Sequence, residues 1–344
     1  MSEKLGASLA AAGYSVSVIG FESTGEPPKG LGCHSLEEFS RLSLRRYLAR
    51  WKVLRKTLSL RPDVFIFSTY ELIFQAIFLK VMLGSRIIYD VRENYYRNIL
   101  YSEGLPFLLR GPLALIVRGI EKIMAPMIDH FFLAERGYEK EFRFHRGAWT
   151  VIENKALPLP GPPVRLDNLN LVFSGTLSES TGVFRAIHLA EALHARNPDV
   201  TLTIAGHAAS VAVQQRIRKS AEGKPHVRLV GIETLVPHRE IVQLLLRARA
   251  GIIAYRPLPH TLNSVPTKLY EYLTAGLPII CDSGWPWVQR FDAYRPFVYV
   301  DFEQPVEDDI LGNLDRTTFY PSPVADAGWD SEVPKLLLAI KNIV

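Results

Sequence analysis

The chain has 344 residues, enough for two globular domains of ordinary size. Hydrophobic residues make up 48% and charged residues 22% of it, which excludes an intrinsically disordered protein. Cys33 and Cys281 form no CxxC pair or Cys/His cluster, so we expect no zinc site and a reducing compartment. No stretch predicts a transmembrane helix and none resembles a signal peptide, which predicts a cytoplasmic protein.

The positive charge of the chain lies in its first half. Residues 1–158 hold 22 Lys and Arg against 16 Asp and Glu, a net +6, whereas residues 159–344 hold 18 against 19, a net −1. Such asymmetry favours an acidic partner for the first half, either an anionic membrane surface or a phosphate-bearing acceptor. No basic-aromatic recognition motif accompanies the charge, so we do not expect nucleic acid as the partner.

Short apolar strands and helix-length segments alternate through the first half. Strands are predicted at 16–20, 63–68, 86–91 and 130–134, with helices over 42–60, 71–83 and 108–128. This alternation is typical of a doubly wound α/β sheet, a Rossmann-like domain. The first residues are typical of the first helix and second strand of such a domain, and its central first strand is missing. We expect either a start upstream of Met1 or an unusual sheet.

A stretch rich in proline and glycine, residues 157–170, predicts a linker between domains. Strands and helices then alternate again, which predicts a second Rossmann-like domain over residues 159–330. Its strands are expected at 171–175, 201–206, 227–231, 250–255 and 278–281. Residues 331–344 predict a short amphipathic helix that returns to the first domain, residues 1–158.

The most informative segment is residues 263–280, NSVPTKLYEYLTAGLPII. It resembles the signature of family 4 glycosyltransferases of the GT-B fold, in which a proline, a lysine and the glutamate of a YEYL-like helix precede a GLPVI-like strand. The resemblance implies that Glu271 binds the ribose of a nucleotide-sugar donor, while Lys268 and the helix start at Thr267 face its diphosphate. Asn263 stands where the family usually has a first glutamate, and Ser264 follows it.

The strand, turn and helix over residues 171–193 resemble the first unit of the family's donor domain. Glycine at position 175 allows close backbone approach to a phosphate, and the next strand ends on Gly206. The family's usual arginine and lysine are replaced here by Thr176 and Thr181. With Ser178, these threonines are the hydroxyl donors predicted for the site. A plain strand-turn-helix is the alternative interpretation of this segment.

RIIYDVRENYYRN at 86–98 resembles the family's strand-end motif, which often ends in Asp-Val-His-Glu. Ligands of open α/β sheets bind at the carboxyl ends of strands, which makes Asp90, Arg92 and Glu93 candidate catalytic residues. Arg92 replaces the usual histidine; an arginine can stabilise a leaving phosphate but cannot act as a base. Asn94 is a further candidate for acceptor contacts, and a loop salt-bridge network is the alternative.

The predicted helix over 42–60 carries Arg45, Arg46, Lys52 and Lys56 around an apolar side that includes Leu48 and Trp51. Such a helix either lies on an anionic bilayer or packs its apolar side on the sheet.

The resemblance as a whole implies a GT-B fold, with two Rossmann-like domains facing a cleft. It implies a retaining, hexosyl-type transferase that moves a sugar from a nucleotide-sugar donor to a glycan or lipid-linked acceptor in cell-surface polysaccharide or glycoconjugate synthesis. We expect peripheral association with the inner face of the plasma membrane. The sequence has no acidic metal-binding pair after a strand, so we expect no metal and no cofactor. A sugar-nucleotide epimerase and a catalytically silent binding or scaffold subunit are the alternatives.

Overall fold

The computed structural model describes residues 2–21, 29–36, 45–102, 104–145, 148–162, 169–256, 262, 264–306, 309–316 and 318–344. The chain divides into two compact units. Unit 1 comprises residues 1–154 and 329–344, and unit 2 comprises residues 155–328. The division falls four residues before the predicted boundary.

Unit 1 has six strands and seven α-helices among the described residues. The strands are β1 (Val16–Phe21), β2 (Leu31–Leu36), β3 (Val64–Phe67), β4 (Arg86–Val91), β5 (His130–Leu133) and β6 (Trp149–Val151). The helices are α1 (Ala7–Ala11), α2 (Arg45–Leu60), α3 (Ile73–Leu83), α4 (Tyr95–Leu100), α5 (Phe107–Met124), α6 (Tyr138–Glu141) and the last helix of the chain, α13 (Val333–Ile343).

The strands of unit 1 form two separate parallel sheets. β3, β4, β5 and β6 lie side by side in chain order, while β1 and β2 pair only with each other among the described residues. Apolar β-branched and aromatic residues explain β4, in which Ile87 and Ile88 are fully buried. The strand that is missing from the sequence pattern would precede β1, and β1 lies in the smaller of the two sheets.

Helix α2 packs differently from the sequence interpretation. Its buried residues are Ala49, Val53, Leu54 and Thr57, whereas Leu48 and Trp51 are 62% and 66% exposed. The alternative in which the apolar side of this helix packs on the sheet is therefore wrong for Leu48 and Trp51.

Helix α13 belongs to unit 1. Just before it, the Trp329 indole donates a hydrogen bond to the Ser8 hydroxyl at 2.8 Å. The buried Glu332 carboxylate accepts from the backbone N–H of Glu153 at 3.1 Å.

The described residues of unit 2 form one sheet of six parallel strands in the order β12-β11-β10-β7-β8-β9. The strands are β7 (Leu169–Thr176), β8 (Val200–His207), β9 (Val227–Ile232), β10 (Ala250–Ile253), β11 (Ile279–Cys281) and β12 (Phe297–Tyr299). The helices are α7 (Val183–Arg196), α8 (Val211–Ala221), α9 (His238–Arg247), α10 (Thr267–Thr274), α11 (Val288–Phe291) and α12 (Ile310–Arg316).

The central strands of unit 2 carry its core. Leu171, Phe173, Leu202, Ile204 and Ile252 are fully buried under flanking helices. Parallel strands covered on both faces require such continuous apolar runs. The chain order reverses between β7 and β10, and ligands of open α/β sheets bind outside the carboxyl ends of strands at this type of position.

Candidate active site

Three adjacent strands of unit 2 each have a glycine as their last residue but one, and these glycines lie side by side. Gly175 of β7 pairs with Gly206 of β8, which pairs with Gly231 of β9. A Cβ on Gly206 would lie 1.8 Å from the Gly175 carbonyl oxygen, so only glycine fits there. The three glycines place no side chain at these positions near the carboxyl edge of the sheet, which is what close backbone approach of a phosphate requires.

The loop after β7 is held by hydrogen bonds among its own hydroxyl groups. The Thr181 hydroxyl donates to the Thr176 carbonyl at 2.9 Å and accepts from the Ser178 N–H at 3.0 Å. The Ser178 hydroxyl in turn accepts from the Thr181 N–H at 3.1 Å. Thr181 therefore shapes the turn, whereas Thr176 is exposed beside Gly175.

Lys268 is the most unusual charged residue of unit 2. It lies in the first turn of α10, is 4% exposed, and its Nζ has no hydrogen-bond partner among the described residues. The ammonium lies 4.0 Å from the ring centre of Phe173 and 5.1 Å from that of Tyr255. Its side chain also borders the glycine row, because a Cβ on Gly175 would lie 3.7 Å from its Cε.

Burial lowers the pKa of Lys268 from 10.5 to about 7, and the nearby Glu271 only partly offsets this effect. Two aromatic faces attract a cation but do not replace the hydrogen bonds that an ammonium loses on leaving water. A diphosphate would supply both the acceptors and the negative charge. Lys268 is thus a candidate anion contact at the start of a helix, where first-turn N–H groups also favour an anion.

Glu271 lies one turn further along α10, with its side chain 23% exposed. Its Oε1 lies 3.1 Å from Nε2 of His238, the first residue of α9. This contact orients the carboxylate through one oxygen. Two adjacent sugar hydroxyls are a suitable ligand for such a carboxylate, since an ionised carboxylate only accepts hydrogen bonds.

The remaining predicted donor residues lie before or at the start of α10. Thr267 is the exposed first residue of the helix, and Ser264 is partly buried just before it. Asn263 lies outside the described residues.

In unit 1 the candidate catalytic residues lie at and after the carboxyl end of β4. Asp90 is 3% exposed and accepts a hydrogen bond from Nε of Arg92 at 2.8 Å. Burial raises the pKa of Asp90, while the Arg92 charge opposes the rise. Glu93 is exposed and accepts from the Asn98 side chain at 2.8 Å. Arg92 is therefore held by Asp90 through one of its three nitrogens.

The Asn94 side chain is buried and makes its hydrogen bonds within unit 1. It is 4% exposed, caps α4 by accepting from the Arg97 N–H at 3.3 Å, and accepts from Arg118 at 2.7 Å. Arg118 also pairs with the fully buried Glu121 at 3.3 Å, and Glu121 accepts from the Tyr89 hydroxyl at 2.9 Å. These residues form a buried network that fixes the loop after β4.

Sequence reasoning missed three contributors to the unit 2 site. His238 orients Glu271, and Phe173 and Tyr255 surround the Lys268 ammonium. The only sequence signal for His238 was its place after a proline at a helix start, and the two aromatic residues are ordinary strand residues by pattern.

The family model of glycosyl transferases group 1 matches residues 162–284, which cover most of unit 2. No curated protein matches the sequence. Among solved structures, WaaG, a glycosyltransferase involved in lipopolysaccharide biosynthesis, has a TM-score of 0.65 and 14% identity, covering 98% of this chain and 93% of that one. Anabaena HepE, solved with UDP and glucose, has a TM-score of 0.62 and 13% identity, covering 98% and 95%.

A third solved structure, described as a putative UDP-N-acetylglucosamine 2-epimerase from Listeria monocytogenes, has a TM-score of 0.55 and 14% identity, covering 92% of this chain and 83% of that one.

Within the described ranges, no group of three or more His, Cys, Asp and Glu residues lies close enough to hold a metal ion. No described helix is long and apolar enough to cross a bilayer. Residues 162–284 thus match the family model of glycosyl transferases group 1, and the chain has the GT-B fold of the glycosyltransferase structures that it resembles.

Proposed function

We propose that the chain is a retaining glycosyltransferase that binds a nucleotide-sugar donor on unit 2. The observation that carries the proposal is Lys268, a buried ammonium that has aromatic but no hydrogen-bonding partners in the described structure. It lies beside a glycine-lined strand edge and one helical turn before Glu271. That combination suits a nucleoside diphosphate. Lys268 supplies positive charge for the phosphates, the glycines leave space for them, and Glu271 accepts hydrogen bonds from the ribose hydroxyls.

In the proposed reaction, the bond between the anomeric carbon and the diphosphate oxygen breaks, and the acceptor hydroxyl oxygen bonds to that carbon on the same face. The hydroxyl proton passes to the departing diphosphate oxygen. Lys268 and the start of α10 stabilise the charge that develops on the leaving diphosphate. Glu271 holds the ribose, which keeps the donor in place during transfer. Because these groups supply the positive field, we propose that the reaction needs no metal ion. Binding of a nucleotide-sugar donor is supported by the fold similarity to HepE, whose structure contains UDP and glucose.

Unit 1 provides the proposed acceptor side of the enzyme. Arg92 is our catalytic candidate there, positioned by Asp90, with Glu93 exposed next to it. Unit 1 also carries the excess positive charge, which suits a lipid-linked acceptor and a peripheral place on the inner face of the plasma membrane. WaaG, which acts in lipopolysaccharide biosynthesis, is consistent with a role in cell-surface glycan synthesis. The cytoplasmic location stays a prediction.

The experiment that tests this function is a thermal-shift screen of UDP-, GDP- and ADP-sugars, followed by product analysis with glycan and lipid-linked acceptors. We expect one donor to stabilise the protein and to release its nucleoside diphosphate in an acceptor-dependent way. The product should keep the anomeric configuration of the donor, and EDTA should leave the rate unchanged. Failure of every donor to bind the folded protein would contradict the proposal.

The epimerase alternative has one specific observation in its favour, the fold similarity to the Listeria protein. An epimerase converts its sugar nucleotide without an acceptor, whereas a transferase requires one. A silent binding subunit would bind donor and give neither product. Donor turnover with and without acceptor therefore separates all three functions.

A further inference from the structure

Helix α5 turns an apolar face to solvent. Leu108, Leu115, Ile116 and Ile123 are 83%, 63%, 57% and 71% exposed. Their spacing places them on one side of the helix, with Pro112 and Gly119 between them. The buried side of α5 is formed by small or polar residues, Ala114, Val117 and Glu121. A helix of a soluble domain normally has the opposite arrangement.

Helix α3 shows the same reversal. Phe74, Phe78, Val81 and Met82 are 52%, 44%, 71% and 60% exposed and follow an i, i+4, i+7, i+8 pattern. Strands β3, β4 and β5 are parallel neighbours in chain order, so right-handed crossovers place α3 and α5 on the same face of the sheet. Helix α2, which contacts α3, adds the exposed Leu48 and Trp51. Apolar patches this large on a soluble chain mark interaction sites.

The charges of these three helices select the partner. Helices α2 and α3 contain no Asp or Glu, and the single acidic residue of α5, Glu121, is fully buried. The exposed charged residues from Leu48 onward on α2, and on α3 and α5, are Lys52, Arg55 and Lys122. A surface that combines apolar stripes with only positive exposed charges is complementary to an anionic lipid surface.

A second copy of the chain fits this surface poorly. A two-fold interface would place the same patch against itself, and its lysines and arginines would then face each other. An anionic bilayer accepts both features at once, because acyl chains bury the apolar side chains while headgroups neutralise the basic ones.

We propose that the outer surface of α2, α3 and α5 inserts shallowly into an anionic bilayer, with α3 and α5 contributing the apolar contact and α2 most of the charge. This inference rests on the proposed function only for its biological purpose, which is to bring unit 1 to a lipid-linked acceptor. Vesicle binding itself needs neither donor nor acceptor. Insertion also predicts a behaviour that charge attraction alone does not: part of the binding survives high salt.

The test uses the full chain and vesicles of phosphatidylcholine with or without phosphatidylglycerol, with binding measured by co-sedimentation. We compare Leu108→Gln/Ile123→Gln with the control Val211→Gln/Leu235→Gln, which changes two residues of unit 2 that are 63% and 75% exposed. We expect wild type and control to bind phosphatidylglycerol vesicles equally and the α5 variant to bind at least tenfold more weakly. At about 1 M salt, where charge attraction is screened, wild type should retain measurable binding.

A Lys52→Gln/Arg55→Gln variant should lose binding mainly at low salt, which separates the two contributions. Equal binding by the α5 variant and wild type, or no binding of wild type to phosphatidylglycerol vesicles at low salt, would overturn the inference. So would a dimer in sedimentation velocity that the α5 variant abolishes without any vesicle binding by wild type. Donor binding by the same preparations, measured by thermal shift, reports separately on the proposed function.

Discussion

Unit 1 buries the Arg118 guanidinium and unit 2 buries the Lys268 side chain. The two differ in their partners, which separates a structural network from a candidate ligand site. Arg118 of unit 1 has an ion pair with Glu121, a hydrogen bond to Asn94 and the Phe142 ring 4.3 Å from its guanidinium carbon. Lys268 of unit 2 has rings but no hydrogen-bond acceptor within the described structure. The first cation is neutralised within its own unit, whereas the second is our proposed contact for a donor phosphate.

The largest effect should come from Arg118→Met. The substitution leaves Glu121 buried without its cation, and breaking a buried pair in this way costs about 3 kcal/mol of unfolding free energy. Urea denaturation should show this loss. The exposed Arg143→Met is the matched control and should unfold as wild type does. A stable Arg118→Met protein would mean that the network around Asn94 is not structural.

Glu271→Ala should weaken nucleotide-sugar binding about 30-fold, because a charged hydrogen-bond acceptor for the ribose contributes about 2 kcal/mol. The side chain is partly exposed, so the fold should be unaffected. Calorimetric titration measures the affinity, and the exposed Glu240→Ala on α9 provides the control. Unchanged donor affinity in the folded Glu271→Ala variant would remove this residue from the site.

Lys268→Met should bind donor about tenfold more weakly at pH 7, since it loses the phosphate contact and keeps the apolar stem. The free protein should gain stability, because a buried ammonium without hydrogen bonds is replaced by an apolar chain. Arg118→Met should do the reverse. Urea denaturation with and without donor checks both effects, and the exposed Lys219→Met is the control.

The lowered pKa of Lys268 should make the free energy of unfolding depend on pH. The pKa of Lys268 is about 7 in the folded protein and about 10.5 for an ordinary lysine, so between these values the unfolded chain holds more protons. Stability relative to Lys268→Met should therefore rise with pH between 7 and 10.5. A difference between wild type and variant that stays constant across this window would show that the lysine is charged when buried.

The smallest effect should come from His238→Ala. Its contact with Glu271 is half exposed and is worth a few tenths of a kcal/mol to about 1 kcal/mol, so donor affinity should fall about threefold. The exposed His188→Ala is the control. A loss as large as that of Glu271→Ala would indicate that His238 contacts the donor itself.

The sequence allowed prediction of the elements with strong periodicity. The parallel strands β3, β4, β7 and β8 follow from continuous apolar runs, and Lys268 and Glu271 follow from a motif on a single helix. Short edge strands such as β6 and β12 were missed, because three residues carry no usable period. The roles of Phe173, Tyr255 and His238 arise from tertiary packing across separate strands and helices, which one sequence does not reveal.

Helix α2 shows the limit most clearly. Its pattern fits two faces equally well, and only the packing selects Ala49 and Val53 over Leu48 and Trp51 for the core. Leu48 and Trp51 are exposed, as are several apolar residues of α3 and α5. An amphipathic pattern predicts that a helix has an apolar and a polar side. It does not predict that the apolar side faces water, as it does on α3 and α5.

The most direct test of the central claim is proton uptake on binding a nucleoside diphosphate at pH 8, measured by calorimetry in two buffers of different ionisation enthalpy. UDP, GDP or ADP serves as the ligand, whichever binds. Free Lys268 is mostly neutral at this pH because its pKa is about 7, and a bound diphosphate should recharge it. We expect uptake of nearly one proton by wild type and none by Lys268→Met. Equal uptake and equal affinity in the two proteins would contradict it.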